Sequence, residues 1–449
     1  MTATAGERKQ QTRRALIGSM VGTSLEWYDF FLYSYAAALI FGKLFFPEFD
    51  PLVGTLLAFG TYGVGYFARP LGGLVCGHFG DRVGRRQMLF ITLSLMGAAS
   101  VAIGLLPTYG TIGVAAPILL VGLRFLQGLA IGGELGGAIL MAVERGGRRR
   151  RGLRGSVVQL GVPIGNLMAT GVVAATTAVL SDQQFETWGW RVPFLLSALV
   201  VAVGLYIRVK VDESPEFADA KTRTDVVSQP LLRIIRMHKR EALVSIGARL
   251  GADITFLLFA VFSLTYVSTQ LGMPQDIAIN AVLVASATLV LTIPLFGHVS
   301  DIIGRRRMYI AGILFSAIWA FVYFPLIDSQ SPVAVVFGTT VGLVGYSMMY
   351  APQAAFMAEL FETGVRYSGV SIGTQVAGIF GASAFPAIAV GLLNETGSAF
   401  PVLVYVVAML TICLVALLLA PQRVYAGPVD GTARPRGQPG DAGEFAEDA

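Results

Sequence analysis

The sequence predicts an all-α polytopic membrane protein with twelve transmembrane helices in two six-helix, pseudo-symmetric bundles. Three features predict this fold class: the composition, a series of long apolar runs and an internal repeat. Of the 449 residues, 54% are hydrophobic and 14% are charged, with a mean hydropathy of +0.67. A soluble domain carries about 25% charged residues, so this chain lacks the polar surface of a water-soluble enzyme. The formal charge of +5 is spread over short loops, so we expect no nucleic-acid partner.

Twelve apolar runs are each long enough to cross about 30 Å of hydrocarbon as a helix. A backbone in lipid must satisfy its own hydrogen bonds, which favours helices over open strands. The predicted spans are 15–41, 53–78, 87–106, 112–143, 155–180, 189–209, 241–268, 276–299, 308–327, 332–357, 367–393 and 399–420. They divide the chain into an N-terminal segment 1–14, a first bundle 15–209, a linker 210–240, a second bundle 241–420 and a tail 421–449.

The distribution of Lys and Arg predicts the orientation of the chain. These residues concentrate in the loops on one side, so we expect both termini to be cytoplasmic, in an inner or plasma membrane. In the linker, the segment Pro230–Arg240 is basic and amphipathic; it either lies on the membrane surface or is an ordinary linker helix. The tail is rich in Gly, Pro, Asp and Arg without apolar periodicity, which predicts disorder.

An internal repeat is the most specific pattern in the chain. The sequence G-H-x-x-D-x-x-G-R-R begins at Gly77 and again at Gly297, 220 residues later. A further match places Glu144 and Glu359 at corresponding positions. Two six-span halves related by a parallel repeat are one of the known plans of membrane transporters.

Several motifs resemble those of one transporter family. The first repeat loop, which contains Asp81, resembles the signature loop G-x-x-x-D-[RK]-x-G-R-[RK] of the major facilitator superfamily; the second copy departs from it at Ile302. Other stretches are similar to the metabolite:proton symporter family within it: Glu26–Phe30, Arg69–Gly73, Arg124–Gly128 leading to Gly132-Gly133-Glu134, and Glu213–Pro215. That family includes carriers of shikimate, α-ketoglutarate, citrate, and proline or betaine. The resemblance covers residues 15–420 and implies alternating access with solute uptake coupled to proton entry, without enzyme activity or a cofactor.

The repeat loops carry charges that suit a gate on the cytoplasmic side. Asp81 and Asp301 end helices whose C-terminal dipole disfavours an acid, so each needs a cationic partner. Single exposed ion pairs contribute about 0–1 kcal/mol, but a network can bias two states by a few kcal/mol. The predicted gate comprises Asp81, Arg82, Gly84, Arg85, Arg86, Glu144, Arg154, Asp301, Arg305, Arg306, Glu359 and Arg366. We attribute the run Arg148–Arg151 to membrane topology alone.

Ionisable residues within the spans mark a functional site, because each costs about 2.5–3.5 kcal/mol to insert at mid-membrane. Glu26 and Asp29 are three apart in span one and share a helix face, so their mutual repulsion favours proton uptake by one of them. Their depth is compatible with an ion pair between Asp29 and Arg124 of span four. Sugar porters of the same superfamily place such a pair there for proton coupling. The predicted proton-coupling residues are Asp29, Glu26 and Glu134.

Further polar residues inside the spans predict a binding chamber. Arg69 and Glu134 lie at matching depth, either as a salt bridge that closes the inner half or with a role in transport. Arg249 and Asp253 are four apart and can pair within one helix, either to permit insertion or as part of the site. Each uncharged polar residue either lines the cavity or joins neighbouring helices. The predicted substrate-binding residues are Arg124, Tyr62, Tyr66, Gln127, Asn166, Arg249, Asp253, Tyr350 and Gln353.

These residues suggest a mechanism. A proton on Asp29 or Glu26 would release Arg124, whose planar guanidinium suits bidentate binding of an anionic group. The expected partners are a carboxylate or zwitterionic solute, a proton and the lipid bilayer, and we expect a monomer.

Two other functions and two other kinds of site are alternatives for this chain. A drug:proton antiporter is one alternative, although the G-P-x-x-G-G pattern of its relatives is replaced here by Gly161–Asn166; a non-transporting sensor is the other. The spacing of the two Cys and three His predicts no metal site. The chain has no Walker motif for ATP.

Overall fold

The computed structural model describes residues 5–83, 85–132, 150–209, 237–361 and 366–421, and it describes side chains for fewer of them, excluding residues 76–87 among others. These residues are helical almost throughout. The twelve long helices are α1 Ala5–Ala36, α2 Pro51–Val83, α3 Arg85–Leu105, α4 Ala115–Gly132, α5 Arg151–Val179, α6 Arg191–Val209, α7 Lys239–Gln270, α8 Gln275–Ile303, α9 Arg305–Ile327, α10 Pro332–Leu360, α11 Gly369–Thr396 and α12 Phe400–Leu418.

Most of these helices have the length and composition of membrane spans. Within the described residues, eight pass on both counts: α4, α5 and α7 to α12. A ninth is formed by α6 together with the short helix Asp182–Gly189, which meets it at a 50° bend. The helices α1 to α3 correspond to the remaining three of the twelve predicted spans. The first begins at Ala5, ten residues before the predicted span, because the polar segment continues the helix beyond its apolar part.

The two halves, α1 to α6 and α7 to α12, repeat the same pattern of helix packing. In the first half α2 packs on α4, α3 on α6 and α1 on α5; in the second, α8 packs on α10, α9 on α12 and α7 on α11. Between the halves, α5 packs against α8 and α10, and α2 packs against α11. The interface is therefore lined by helices that occupy corresponding places in the repeat.

The repeat also extends to irregular turns inside the helices. A π-helical turn, Ala37–Phe41, continues α1, and another, Leu257–Phe262, lies within α7 at the same offset of 220 residues. Further π-helical turns occupy Phe185–Gly189, Tyr266–Gln270 and Ile379–Ser383. Such turns are frequent at functional sites, so the pair related by the repeat directs attention to α1 and α7.

One end of the molecule, called here the basic face, carries the start of α5 at Arg151 and the end of α8 at Ile303. There the halves touch at two glycines. A Cβ at Gly152 would lie 2.5 Å from Ser300 Oγ, and a Cβ at Gly297 would lie 2.3 Å from Ser156 Oγ. Only hydrogen at these positions permits such an approach, so the two halves are closed together at the basic face.

Candidate functional site

Asp29 lies within the first half and is 3% exposed. Its Oδ1 accepts a hydrogen bond of 2.7 Å from Ser197 Oγ of α6. The Ser100 hydroxyl of α3 lies near the carboxylate. Among the described residues, Oδ2 has no hydrogen-bond partner. One carboxylate oxygen is thus held by the protein, while the other is available to a proton.

Arg124 of α4 is 2% exposed and is held by one glutamine and two aromatic rings. Its Nη1 donates to Gln127 Oε1 at 3.0 Å. The guanidinium carbon lies 4.1 Å from the centre of the Tyr33 ring and 5.0 Å from that of Tyr62. Ring faces stabilise a cation by about 0.5–2 kcal/mol. In the described part of the chain no carboxylate pairs with Arg124, so its charge is only partly compensated.

Asp29 and Arg124 do not touch but have a common neighbour in Ser100, whose hydroxyl donates to the Met96 carbonyl at 3.1 Å. Gln127, which accepts from Arg124, donates from Nε2 to Ser100 Oγ at 2.7 Å, and Ser100 lies beside Asp29. The expected Asp29–Arg124 ion pair is therefore not formed. Depth along a helix gives height in the membrane but not rotation, and Asp29 turns towards α6 while Arg124 turns towards the rings of α1 and α2.

The other predicted charges of the first half have different neighbours. The guanidinium of Arg69 lies 4.1 Å from the Tyr66 ring and 5.5 Å from the Phe30 ring, and its expected partner Glu134 lies outside the described residues. Glu26 is buried and interacts electrostatically with Tyr350 of α10. Glu26 and Asp29, three residues apart on α1, therefore have different neighbours.

In the second half, four predicted residues meet in one cluster. Arg249 binds both oxygens of Asp253, with Nη2–Oδ1 at 2.9 Å and Nε–Oδ2 at 3.0 Å. Its Nη1 donates to Gln353 Oε1 at 2.8 Å, and Gln353 Nε2 donates to Tyr309 at 2.8 Å. The Tyr350 ring lies 5.6 Å from the guanidinium. This half thus presents a cation and an anion side by side.

Aromatic and amide side chains also join the two halves. Phe31 of α1 and Phe256 of α7 lie 5.4 Å apart, ring centre to ring centre. Asn166 accepts from Tyr35 and donates to Ser286 Oγ of the second half at 2.7 Å. Asn166 thus joins the two halves by a hydrogen bond, apart from the two arginine clusters.

At the basic face, Asp301 reaches across the interface to the start of α5. Its Oδ1 accepts from the Gly152 amide at 2.9 Å and its Oδ2 accepts from the Leu153 amide at 3.0 Å. Arg305 donates to the same carboxylate at 3.0 Å. The first amides of a helix bind anions, so Asp301 finds its compensation in the other half as well as in Arg305.

The remaining gate residues differ in what they contact. Glu359 lies 3.3 Å from Arg305 and 3.9 Å from Arg151 of the first half. Arg154 interacts electrostatically with Asp301. Arg366 also interacts electrostatically with Glu359. Two predicted gate residues donate to main-chain carbonyls of their own half: Arg306 at Leu418 and Arg366 at Phe361. For the other predicted gate residues no side chain is described: Asp81, Arg82, Gly84, Arg85, Arg86 and Glu144. The tail and most of the linker, residues 210–236 and 422–449, are likewise outside the described residues.

Several residues that the sequence did not single out lie at this interface. Arg151, which we attributed to topology, contacts Glu359 across the halves. Gln159 of α5 donates to the main-chain oxygen of Tyr350 at 2.5 Å. Ser197 binds Asp29. Gln159 was detectable as an amide in an apolar run, like Asn166 in the same run, whereas a serine in a membrane helix carries no distinctive signal.

Comparisons with known proteins settle which family has this architecture. Residues 15–242 match the family model described as "Sugar (and other) transporter", and residues 244–440 match that of the Major Facilitator Superfamily. The shikimate transporter of Escherichia coli strain K12 is 40% identical over 419 residues, covering 91% of this chain and 94% of the relative. The chain belongs to the major facilitator superfamily.

Further proteins have a similar sequence or a similar fold. The inner membrane metabolite transport protein YhjE of the same strain is 39% identical, covering 93% of this chain and 97% of the relative. A crystal structure of a D-xylose-proton symporter matches with a TM-score of 0.72 over 92% of this chain and 99% of the other, at 17% identity. The predicted family and twelve-helix fold are confirmed, and the chain is a membrane transporter rather than an enzyme.

The close contact at Gly152 should be needed for closure of the basic face. Replacing Gly152 by Val should hold that face open and lower transport about tenfold or more, because overpacking a tight contact costs about 1–3 kcal/mol. Spin labels at Arg150 and Ile302, which are exposed on the two halves, should report longer distances in this variant.

The matched control for Gly152→Val is Gly171→Val in the same helix. A Cβ at Gly171 would meet nothing within 4 Å, so this variant should behave as wild type. Wild-type transport and an unchanged label distance in Gly152→Val would show that the glycine contact does not govern closure.

Proposed function

We propose that this transporter imports a small organic acid or zwitterionic metabolite together with a proton, by alternating access. One observation carries the proposal: Arg124 is buried without a carboxylate partner in the described part of the chain, and its partner Gln127 donates to Ser100, which lies beside Asp29. A buried guanidinium that is only partly compensated favours an anionic ligand, and its planar fork suits a carboxylate. A buried acid beside it suits proton coupling.

The side-chain relay suggests how the two events are coupled. When Asp29 is ionised, its charge attracts Arg124 across the short chain of Gln127 and Ser100. A proton on the open Oδ2 removes that attraction, and the guanidinium then turns its free N–H groups to the solute. The proton and the anionic solute thus favour each other's binding, which is the thermodynamic requirement for symport.

The shape of the interface supports alternating access. The halves are closed at the basic face by Asp301, Arg305 and Glu359. At the opposite face a cavity of about 340 Å³ lies between them. With the basic face in the cytoplasm, as the Lys and Arg distribution favours, this is a state that admits solute from outside. We propose that the chain is divided into two bundles, residues 15–209 and 241–420. We also propose that it is a monomer and that both termini are cytoplasmic.

A zwitterion is the second candidate substrate, and the second half favours it. Arg249 and Asp253 present opposite charges side by side. A solute that carries both an ammonium and a carboxylate could exchange partners with this pair without leaving either charge bare.

Uptake by the purified protein in lipid vesicles tests the proposal. Radiolabelled shikimate, betaine and a keto acid are supplied outside vesicles whose interior is alkaline, with and without a protonophore. We expect accumulation of one of these solutes that the protonophore abolishes. Accumulation driven by an acidic interior would indicate an exporter instead, and accumulation insensitive to the protonophore would refute proton coupling.

A further inference from the structure

One turn of α11 brings a tyrosine of the first half close to a carboxylate of the second. A Cβ at Gly378 would lie 2.9 Å from the Tyr66 ring of α2. A Cβ at Gly381, three residues later, would lie 3.7 Å from Asp253 Cβ of α7. Three residues of a helix span only about 4.5 Å, so Tyr66 and Asp253 lie near one another across the interface. Tyr66 also interacts electrostatically with Asp253 and with Arg249.

The guanidinium of Arg69 lies at the same place, on the side of the first half. Its carbon is 4.1 Å from the centre of the Tyr66 ring, and Arg69 interacts electrostatically with Asp253. In the part of the chain that the structure describes, its close partners are the rings of Tyr66 and Phe30, and no carboxylate forms a salt bridge with it. Arg69 is thus a buried cation beside a carboxylate that another arginine holds.

The carboxylate of Asp253 is fully engaged by Arg249 in this state. Both of its oxygens accept from that guanidinium, at 2.9 and 3.0 Å, and its side chain is 11% exposed. A solute anion that binds the planar fork of Arg249 uses the same N–H groups and therefore displaces Asp253. A buried carboxylate without a cation is strongly unfavourable, so Asp253 then needs a second partner within reach.

We propose that Arg69 is this second partner and takes the Asp253 carboxylate when a solute anion occupies Arg249. The inference rests on the proposed function, because it assigns one step of the same transport cycle. Since Arg69 belongs to α2 and Asp253 to α7, an ion pair within one helix is replaced by an ion pair between the halves. The new pair extends the contact between the halves from the basic face towards the cavity. Solute binding and occlusion are thereby one event, and Arg69 is the positioning residue that joins them.

Arg249→Gln tests the exchange in the full-length protein in lipid vesicles, without a solute, because it releases Asp253 as a solute anion would. Spin labels at Phe49 and Ser398, exposed before α2 and after α11, report the separation of two helices that line the cavity. Arg249→Gln should lose the long distance of the unsubstituted protein, because Asp253 then pairs with Arg69. Arg249→Gln combined with Arg69→Gln should regain it.

Two further double variants separate an ion pair from a packing effect. Arg249→Gln with Arg69→Lys is the matched control: it keeps a cation at the position and should keep the short distance. Arg249→Gln with Asp253→Asn removes the anion instead and should restore the long distance.

The outcomes that would overturn the exchange are distinct. A long distance in Arg249→Gln would do so, and so would a short distance that persists when Arg69→Gln is added. Loss of folded Arg249→Gln protein that Asp253→Asn restores would also overturn it, because the carboxylate would then have found no second partner. Proton-driven uptake by the wild type is measured separately and would uphold the proposed function in each of these cases.

Discussion

Asp29→Asn should abolish proton-driven accumulation of the solute while sparing its exchange. Asparagine can still accept the Ser197 hydrogen bond but cannot bind and release a proton at the second oxygen. A gradient of one pH unit is worth about 1.4 kcal/mol per proton, so the wild type should accumulate solute about tenfold and the variant should only equilibrate it. Vesicle uptake driven by an alkaline interior measures the first quantity, and counterflow measures the second.

Glu395→Gln is the control for Asp29→Asn, since it removes an exposed carboxylate from α11. This variant should accumulate solute like the wild type. If Asp29→Asn accumulates solute against a gradient and a protonophore still stops it, another group carries the proton.

Arg124→Gln should have the largest effect on solute binding. Truncating one partner of a buried, hydrogen-bonded charge pair costs about 2–5 kcal/mol, so the dissociation constant for an anionic solute should rise about 30- to 4,000-fold. Arg124→Lys keeps the charge but loses the planar fork, and we expect a smaller loss, about tenfold. Equilibrium binding to purified protein measures both.

Arg307→Gln serves as the comparison for Arg124→Gln, because Arg307 is exposed at the start of α9. Its affinity for the solute should stay at the wild-type value. An Arg124→Gln protein that binds the solute within threefold of wild type would show that this guanidinium is not the anion site.

The features that sequence predicted well are those fixed within one segment. Each span follows from an apolar run that must bond its own backbone in lipid. The contact of Arg249 with Asp253 follows from their spacing of four in one helix, and the structure has it. The sequence repeat of the two loops is matched by a repeat in how the helices pack. It is also matched by the π-helical turns that follow α1 and lie within α7.

The features that sequence could not predict depend on how separate helices are rotated. Asp29 and Arg124 have matching depth, yet one faces Ser197 and the other faces two tyrosine rings. The partners of Asp301 at the start of α5 are main-chain amides, which every residue except proline has, so no residue type marks them. Charge thus singled out Asp301 and its pairing with Arg305, but not its main-chain partners in the other half.

The most direct test of the account counts protons when the solute binds. If Arg124 takes the anion only after Asp29 has its proton, solute added to purified protein in weakly buffered solution should remove about one proton per molecule bound. The same titration of Asp29→Asn should show binding with no proton uptake. Wild-type binding without proton uptake, or equal uptake by both proteins, would contradict the coupling of these two side chains.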